Sequence, residues 1–360
     1  MNIVKSTRLF EQWLAQHTNV IKRDLRLKHA KMKLAVFPFL RATYYRWAQL
    51  WPEVCPDESK APRVLAVGDL HVDNFGTWRD VEGRLIWGIN DFDEAYSLPY
   101  TNDLIRLAVS AHLASDAGHI PLRKNDICDA ILEGYLENLK HGGMPFVLEE
   151  QHGWLREIAL SDLRDPVRFW KKMEVLPTAR DVPVSAIEAM EHLFPAPNLE
   201  YRIARRVAGL GSLGHARYVA LAKWNGHWIA REAKALVPSS CYWAADYDGQ
   251  AEILYQTIIH RAVRCPDPFV HLYGQWIVRR LSPHCSRIEL TGLEVHGSEM
   301  RLLHSMGWET ANIHLGTGNA VKDIIRHASK RKRRWLHEAT LAMVERVVAD
   351  WKTWKKEGYG

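Results

Sequence analysis

Residues 64–95 read VLAVGDLHVDNFGTWRDVEGRLIWGINDFDEA. Two apolar runs stand out in it, VLAV at 64–67 and LIWGI at 85–89, each of the length and residue type of a buried strand. A polar cluster follows each run: Asp69, His71, Asp73 and Asn74 after the first, and Asp91, Asp93 and Glu94 after the second. Two strands therefore deliver acids at their ends. Carboxylate and amide oxygens brought together in this way are hard ligands, suited to Mg²⁺ and through it to phosphate. A single Asp at a strand end is usually a turn residue, and it is the pairing of two such clusters that points to chemistry.

The chain of 360 residues can form one large domain or two ordinary ones. Its net charge of +6 is compatible with an anionic partner, but the only dense basic run, residues 330–334 (KRKRR), lies between two helix-like stretches. That placement reads as a solvated helix face and argues against nucleic acid. The five cysteines are odd in number and show no C-x-x-C spacing, as expected of reduced thiols in a cytoplasmic protein rather than a disulfide frame or a zinc site. The first residues lack a long apolar core and a small-residue cleavage site, so no secretory signal is expected. No run of about 18 apolar residues occurs, which predicts no membrane-spanning helix.

Helical spacing from residue 6 to 51, interrupted at Pro38, predicts two or three helices before the first strand. After the acidic clusters, residues 98–101 form a turn, and Asn102 and Asp103 are good caps for a helix that follows. Further helices are expected at 124–139, 149–160 and 185–193. From residue 207 the pattern becomes strand, glycine turn, strand, and Asn225-Gly226 signals a hairpin into a third antiparallel strand. A helix over 249–264, a strand at 276–278 and helices over 300–315, 321–327 and 335–355 complete the chain.

Gly209-Leu210-Gly211-Ser212-Leu213-Gly214 satisfies G-x-G-x-x-G. A dinucleotide fold would need a helix directly afterwards, whereas this chain continues as a strand. A glycine-rich hairpin of that kind lets backbone N–H groups lie over nucleotide phosphates. Arg231, seventeen residues after Gly214, stands on the next strand, where a kinase places the cation that holds the α- and β-phosphates.

Asp69 and Asn74 have the D-x-x-x-x-N spacing of a kinase catalytic loop, and Asp91-Phe92 resembles the metal-binding D-F that follows it. These motifs resemble those of aminoglycoside phosphotransferases and choline-type kinases. GDLHVDNFG, INDFDEA, NDLIRLAVS, GLGSLG and IVRRL are more similar still to the bacterial family called domain of unknown function 2252, over residues 37–318 with gaps. The resemblance implies a protein-kinase-like fold, with ATP and Mg²⁺ as cofactors. It assigns Asp69 as catalytic base, with His71 supporting its loop, Asn74 and Asp91 as Mg²⁺ ligands, and Asp93 as a further ligand. Asp103 would hold the catalytic loop through backbone hydrogen bonds. Gly209, Gly211, Ser212 and Gly214 would cover the phosphates.

Two departures qualify that pattern. The glycine loop follows the catalytic loop instead of preceding it, which implies circular permutation. Arg231 stands where the family usually has Lys; Arg is a broader, planar donor, so Lys234 is a second candidate for the cation, with Glu252 as its carboxylate partner. The sequence thus predicts an α+β, bilobal, kinase-like protein. Its expected parts are N-terminal helices (1–62), a catalytic segment with a helical large lobe (63–200), a β-rich nucleotide lobe (201–295) and returning helices (296–360). The expected activity is phosphoryl transfer from ATP to a hydroxyl of a small-molecule acceptor, held by the helices between 124 and 193 with the N-terminal ones. A non-catalytic, pseudokinase-like nucleotide binder is the first alternative. A metal-dependent phosphoesterase, suggested by Asp69-Leu70-His71 with Asp91, is the second, and it lacks the later motifs that such enzymes need.

Overall fold

The computed structural model describes residues 1–118, 122–160, 165–283, 285 and 298–358. The boundary expected at residue 295 lies outside them. The chain is α+β.

Four helices, not two or three, precede the first strand: α1 (Ile3–His17), α2 (Lys22–Leu34), α3 (Val36–Ala42) and α4 (Tyr44–Val54). The break comes at Ala35, in extended conformation, and Pro38 sits in the first turn of α3, where its missing N–H costs no helical hydrogen bond. The two apolar runs then become strands of different sheets. β1 (Arg63–Ala66) runs alongside a strand from Tyr96 to Pro99, while β2 (Phe75–Arg79) and β3 (Leu85–Ile89) form a hairpin. The partner of β1 is β4, and helix α5 (Thr101–Asp116) follows it directly.

Every side chain of α5 from Thr101 to Ala114 is buried, which makes it the axis of the helical layer. Asn102 and Asp103 do not cap this helix; they lie inside its first turn, and Tyr100 is the capping residue. The Asp103 carboxylate is occupied elsewhere, by backbone N–H groups of the acidic loop. The chain continues through α6 (Lys124–His141), the short β5 (Phe146–Val147) that extends the β2–β3 sheet, α7 (Gly153–Ala159), α8 (Pro166–Glu174) and α9 (Val184–Glu191). Helix α7 is shorter than the 149–160 pattern: Leu148 N–H bonds to Leu85 O of β3, and the N–H groups of Glu150 and Gln151 turn back onto Val147 O before the helix starts.

The strand expected near Val207 ends earlier, at Arg205. β6 (Tyr201–Arg205), β7 (Arg217–Trp224) and β8 (His227–Ala235) form the predicted antiparallel meander, joined at its second turn by Asn225 and Gly226, both at positive φ as a type I′ hairpin requires. After α10 (Ser240–Ala244) and α11 (Tyr255–Arg261), two more strands, β9 (His271–Tyr273) and β10 (Trp276–Leu281), complete a five-stranded sheet in the order β6-β7-β8-β10-β9. Helix α11 is half the length expected over 249–264, and residues 249–254 are not helical. Helices α12 (Glu299–His314), α13 (Val321–Ser329) and α14 (Trp335–Glu357) return to the helical layer. Among the described residues, no helix is long and apolar enough to cross a membrane.

Side chains alternate along β8, and the alternation decides which of its residues face the helical layer. Glu232 and Lys234 share the inner face. Arg231 and Ala233 share the outer one, where Ala233 packs with Ala186 and Met190 of α9 and Arg231 Nε donates to Leu193 O at 2.8 Å.

Candidate functional site

The acidic loop after β1 is pinned from below. Asp103 accepts the N–H of Val67 at 2.7 Å and of Gly68 at 3.0 Å, and His314 Nε2 lies 3.1 Å from the same carboxylate. All three partners are buried, so each bond carries more weight than it would at the surface. Gly68 has φ +81°, and a Cβ there would stand 2.4 Å from the backbone oxygen of Glu94. Only glycine lets the two acidic stretches approach this closely.

The pinned loop presents Asp69 to the cavity. Arg106 of α5, wholly buried, donates through Nε to Asp69 Oδ1 at 2.8 Å, and its second terminal nitrogen also contacts that oxygen. The guanidinium is sandwiched between the rings of Tyr44 and Trp47, 4.9 and 4.8 Å from their centroids, so it cannot swing away. Beyond Asp69 the chain turns on a reciprocal cap: Asn74 Oδ1 accepts the His71 N–H at 3.0 Å, and His71 Nδ1 accepts the Asp73 N–H at 3.2 Å. Arg41 of α3 holds Asp73 at 2.7 Å. The sequence motif thus folds as a loop in which Asn74 and His71 are bonded to its own backbone and Asp69 and Asp73 to arginines of neighbouring helices.

The second acidic stretch meets the sheet. Lys234 Nζ contacts both oxygens of Asp93 and lies 3.6 Å from Asp91 Oδ1. Burial pushes the Lys234 ammonium down to about 8 against the pull of Asp93. Arg231 is not the cation of this site, because an odd separation from Lys234 sends it to the opposite face of β8, where it lies over the Phe269 ring. Nor is Glu252 the carboxylate partner: it is exposed and outside any helix, and Asp93 takes that place. Asp93 is thus engaged as the counter-ion of Lys234.

Asp69, His71, Asn74, Asp91, Asp93 and Glu94 line a single cavity with Gly209, Gly211 and Ser212. Gly211 lies so near the loop that a Cβ there would be 3.6 Å from Asp69 Oδ2 and 3.2 Å from Arg41 O. Gly214 does not reach the cavity; its Cα faces Leu25 of α2 and Val20. Ser212 Oγ accepts from Arg217 at 2.9 Å, which steadies the turn from beneath.

Three further residues contribute, of which Lys28 and Arg106 carried no signal of a site role in the sequence. Lys28 of α2 donates to Gly211 O at 2.8 Å, and burial lowers its pKa despite Glu11, Glu94 and Asp69 nearby. Glu94 accepts from Ser240 N at 2.7 Å and from the hydroxyls of Ser239 and Ser240, yet burial pushes its carboxyl up to about 7. Arg106, six residues into a helix, reads as an ordinary helix former. Next to the cavity, and sharing Arg41 and Gly209 with it, lies a wider basic cleft. Within it Glu232 faces Arg206, Arg217 and Arg279; burial pushes that carboxyl up, but the guanidiniums outweigh it and hold it well below the usual carboxylate range. Three cations on one anion leave a surplus of positive charge.

Residues 20–162 match the family described as an uncharacterized protein conserved in bacteria, DUF2252. The DUF2252 match takes in Lys28, Arg41, the loop from Asp69 to Asn74, Asp91, Asp93, Asp103 and Arg106. The glycine turn and Lys234 lie beyond it. No curated protein and no solved structure matches the chain.

Proposed function

We propose that this chain is a Mg²⁺-dependent phosphotransferase that moves the ATP γ-phosphoryl group to a hydroxyl of a small-molecule acceptor, on a circularly permuted, bilobal kinase-like fold. One observation carries the reading: Asp69, Asn74 and Asp91 share a cavity with a glycine turn that starts 140 residues later in the chain (209 − 69), and a buried Lys on the strand two after that turn is paired with Asp93 and lies 3.6 Å from Asp91. A glycine-rich turn, a strand lysine and an acid–amide pair are the parts that kinases use for phosphate and metal. The surplus positive charge around Glu232 suits a polyphosphate.

In this reading Asp69 accepts the proton of the attacking hydroxyl, with Arg106 fixing the carboxylate so that one oxygen faces the acceptor. Lys234, drawn toward Asp91 by Asp93, meets the α- and β-phosphates. The donor set fits Mg²⁺: Asp91 supplies a carboxylate and Asn74 a carbonyl oxygen that keeps a second lone pair after accepting the His71 N–H. Bound there, Mg²⁺ would neutralise charge on the transferring group.

The test is calorimetric titration of ATP into the wild type and Asp91→Ala, each with and without Mg²⁺. Affinity that needs both Mg²⁺ and Asp91 supports the reading. Absence of binding under every condition refutes it, and binding indifferent to both favours a non-catalytic nucleotide binder. Once an acceptor is found, Asp69→Asn should lower turnover by roughly 10²–10⁴-fold with ATP affinity preserved.

A further inference from the structure

Away from that cavity, helices α5, α6 and α14 meet around three side chains that phosphoryl transfer does not use. His112 and Cys128 are buried and His337 is half-buried. One donor atom from each, a ring nitrogen from either histidine and the Cys128 sulfur, lie within 4.8 Å of one another. No C-x-x-C or H-x-x-x-H spacing announces the group, because its members come from helices far apart in sequence.

The hydrogen bonding of these groups is incomplete in an informative way. His112 Nε2 lies 3.0 Å from the Lys124 carbonyl oxygen and therefore donates its N–H there. That fixes the tautomer and leaves Nδ1 as a bare lone pair. Among the described residues Nδ1 has no hydrogen-bond partner although it is buried, and His337 Nδ1 is in the same condition. A buried acceptor with nothing to accept from is destabilising. An imidazole that donates one N–H to a backbone carbonyl while its other nitrogen stays free is the arrangement found around metal-ligating histidines. The Cys128 sulfur lies 3.4 Å from His112 Nε2 and its S–H donates to Thr340 Oγ1 at 3.8 Å, and as a thiolate it supplies a third donor.

We propose that His112, Cys128 and His337 form a transition-metal site that takes Zn²⁺ or a similarly borderline-soft divalent ion and ties α14 to α5 and α6. Two imidazoles and a thiolate are poor ligands for Mg²⁺ or Ca²⁺ and good ones for zinc. Binding converts Cys128–SH to a metal-bound thiolate and releases one proton to solvent. With three protein donors, a fourth tetrahedral position would fall to water.

None of the three residues lines the Asp69 cavity, so the site stands or falls independently of ATP binding. The experiment uses the full chain, stripped with a chelator and titrated with Co²⁺. The expected result is a thiolate-to-metal charge-transfer band that saturates at one equivalent, is lost in Cys128→Ser and weakens in His337→Ala. Zn²⁺ should raise the Tm of the wild type and not that of His337→Ala, whose half-exposed side chain can be removed without unfolding the core. A wild type with no charge-transfer band and a Tm indifferent to Zn²⁺ overturns the proposal, as does a band that survives in Cys128→Ser.

Discussion

Glu309, buried in α12, stands directly behind the second acidic stretch: its Oε1 accepts the Ile89 N–H at 3.2 Å, two residues before Asp91, and its Oε2 accepts from Asn312 at 2.8 Å. Burial pushes its carboxyl from 4.5 up to about 7, and Arg264 offsets only part of that. The folded state therefore holds the proton more tightly than the unfolded one. The resulting contribution to stability is intact below about pH 4.5 and is lost as pH rises through 7. A shift of that size corresponds by linkage to a loss of roughly 2–3 kcal/mol between pH 5 and pH 8 from this group alone. Glu309→Gln cannot ionise and removes the loss. The variant also sets an amide against the Asn312 donor, at a cost of about 1 kcal/mol that does not depend on pH. The absolute stability of the variant is thus less informative than its slope. Urea unfolding of both proteins at pH 5, 6, 7 and 8 should show the variant gaining roughly 2–3 kcal/mol on the wild type across the range. Parallel curves would mean that Glu309 does not titrate in the folded protein near neutrality, and the argument from burial would fail.

Other outcomes follow from the same geometry. Lys234→Met should abolish measurable ATP affinity while Arg231→Ala leaves it unchanged, since the two side chains occupy opposite faces of β8; equal losses in calorimetry would contradict the strand register. Gly307→Ala should destabilise the protein by about 3 kcal/mol, because a Cβ there would stand 2.0 Å from the Ile131 carbonyl where α12 crosses α6. Chemical denaturation measures it, and a loss below about 1 kcal/mol would show that the helices can separate cheaply.

What the sequence determined by itself was local. Alternating and continuous apolar runs marked β1, β3 and β7, the Asn225-Gly226 pair marked its hairpin, and the spacing of Asp69, Asn74, Asp91 and the three glycines singled out residues of which most line one cavity. These features depend on near neighbours in the chain. The tertiary structure alone decided what those residues touch. Arg231 and Lys234 are both cations on one strand, and only the pairing of β8 with β7 and β10 tells which faces Asp93. Lys28, Arg106 and Glu309 are ordinary helix residues by any local measure, and they matter because α2, α5 and α12 bring them beneath the acidic loops. Glu252 had a suitable charge and a helical pattern, yet the helix begins three residues later and the carboxylate is left in solvent. A charge acquires its meaning from burial and from its partner, and both are properties of the folded chain, not of the segment that carries it.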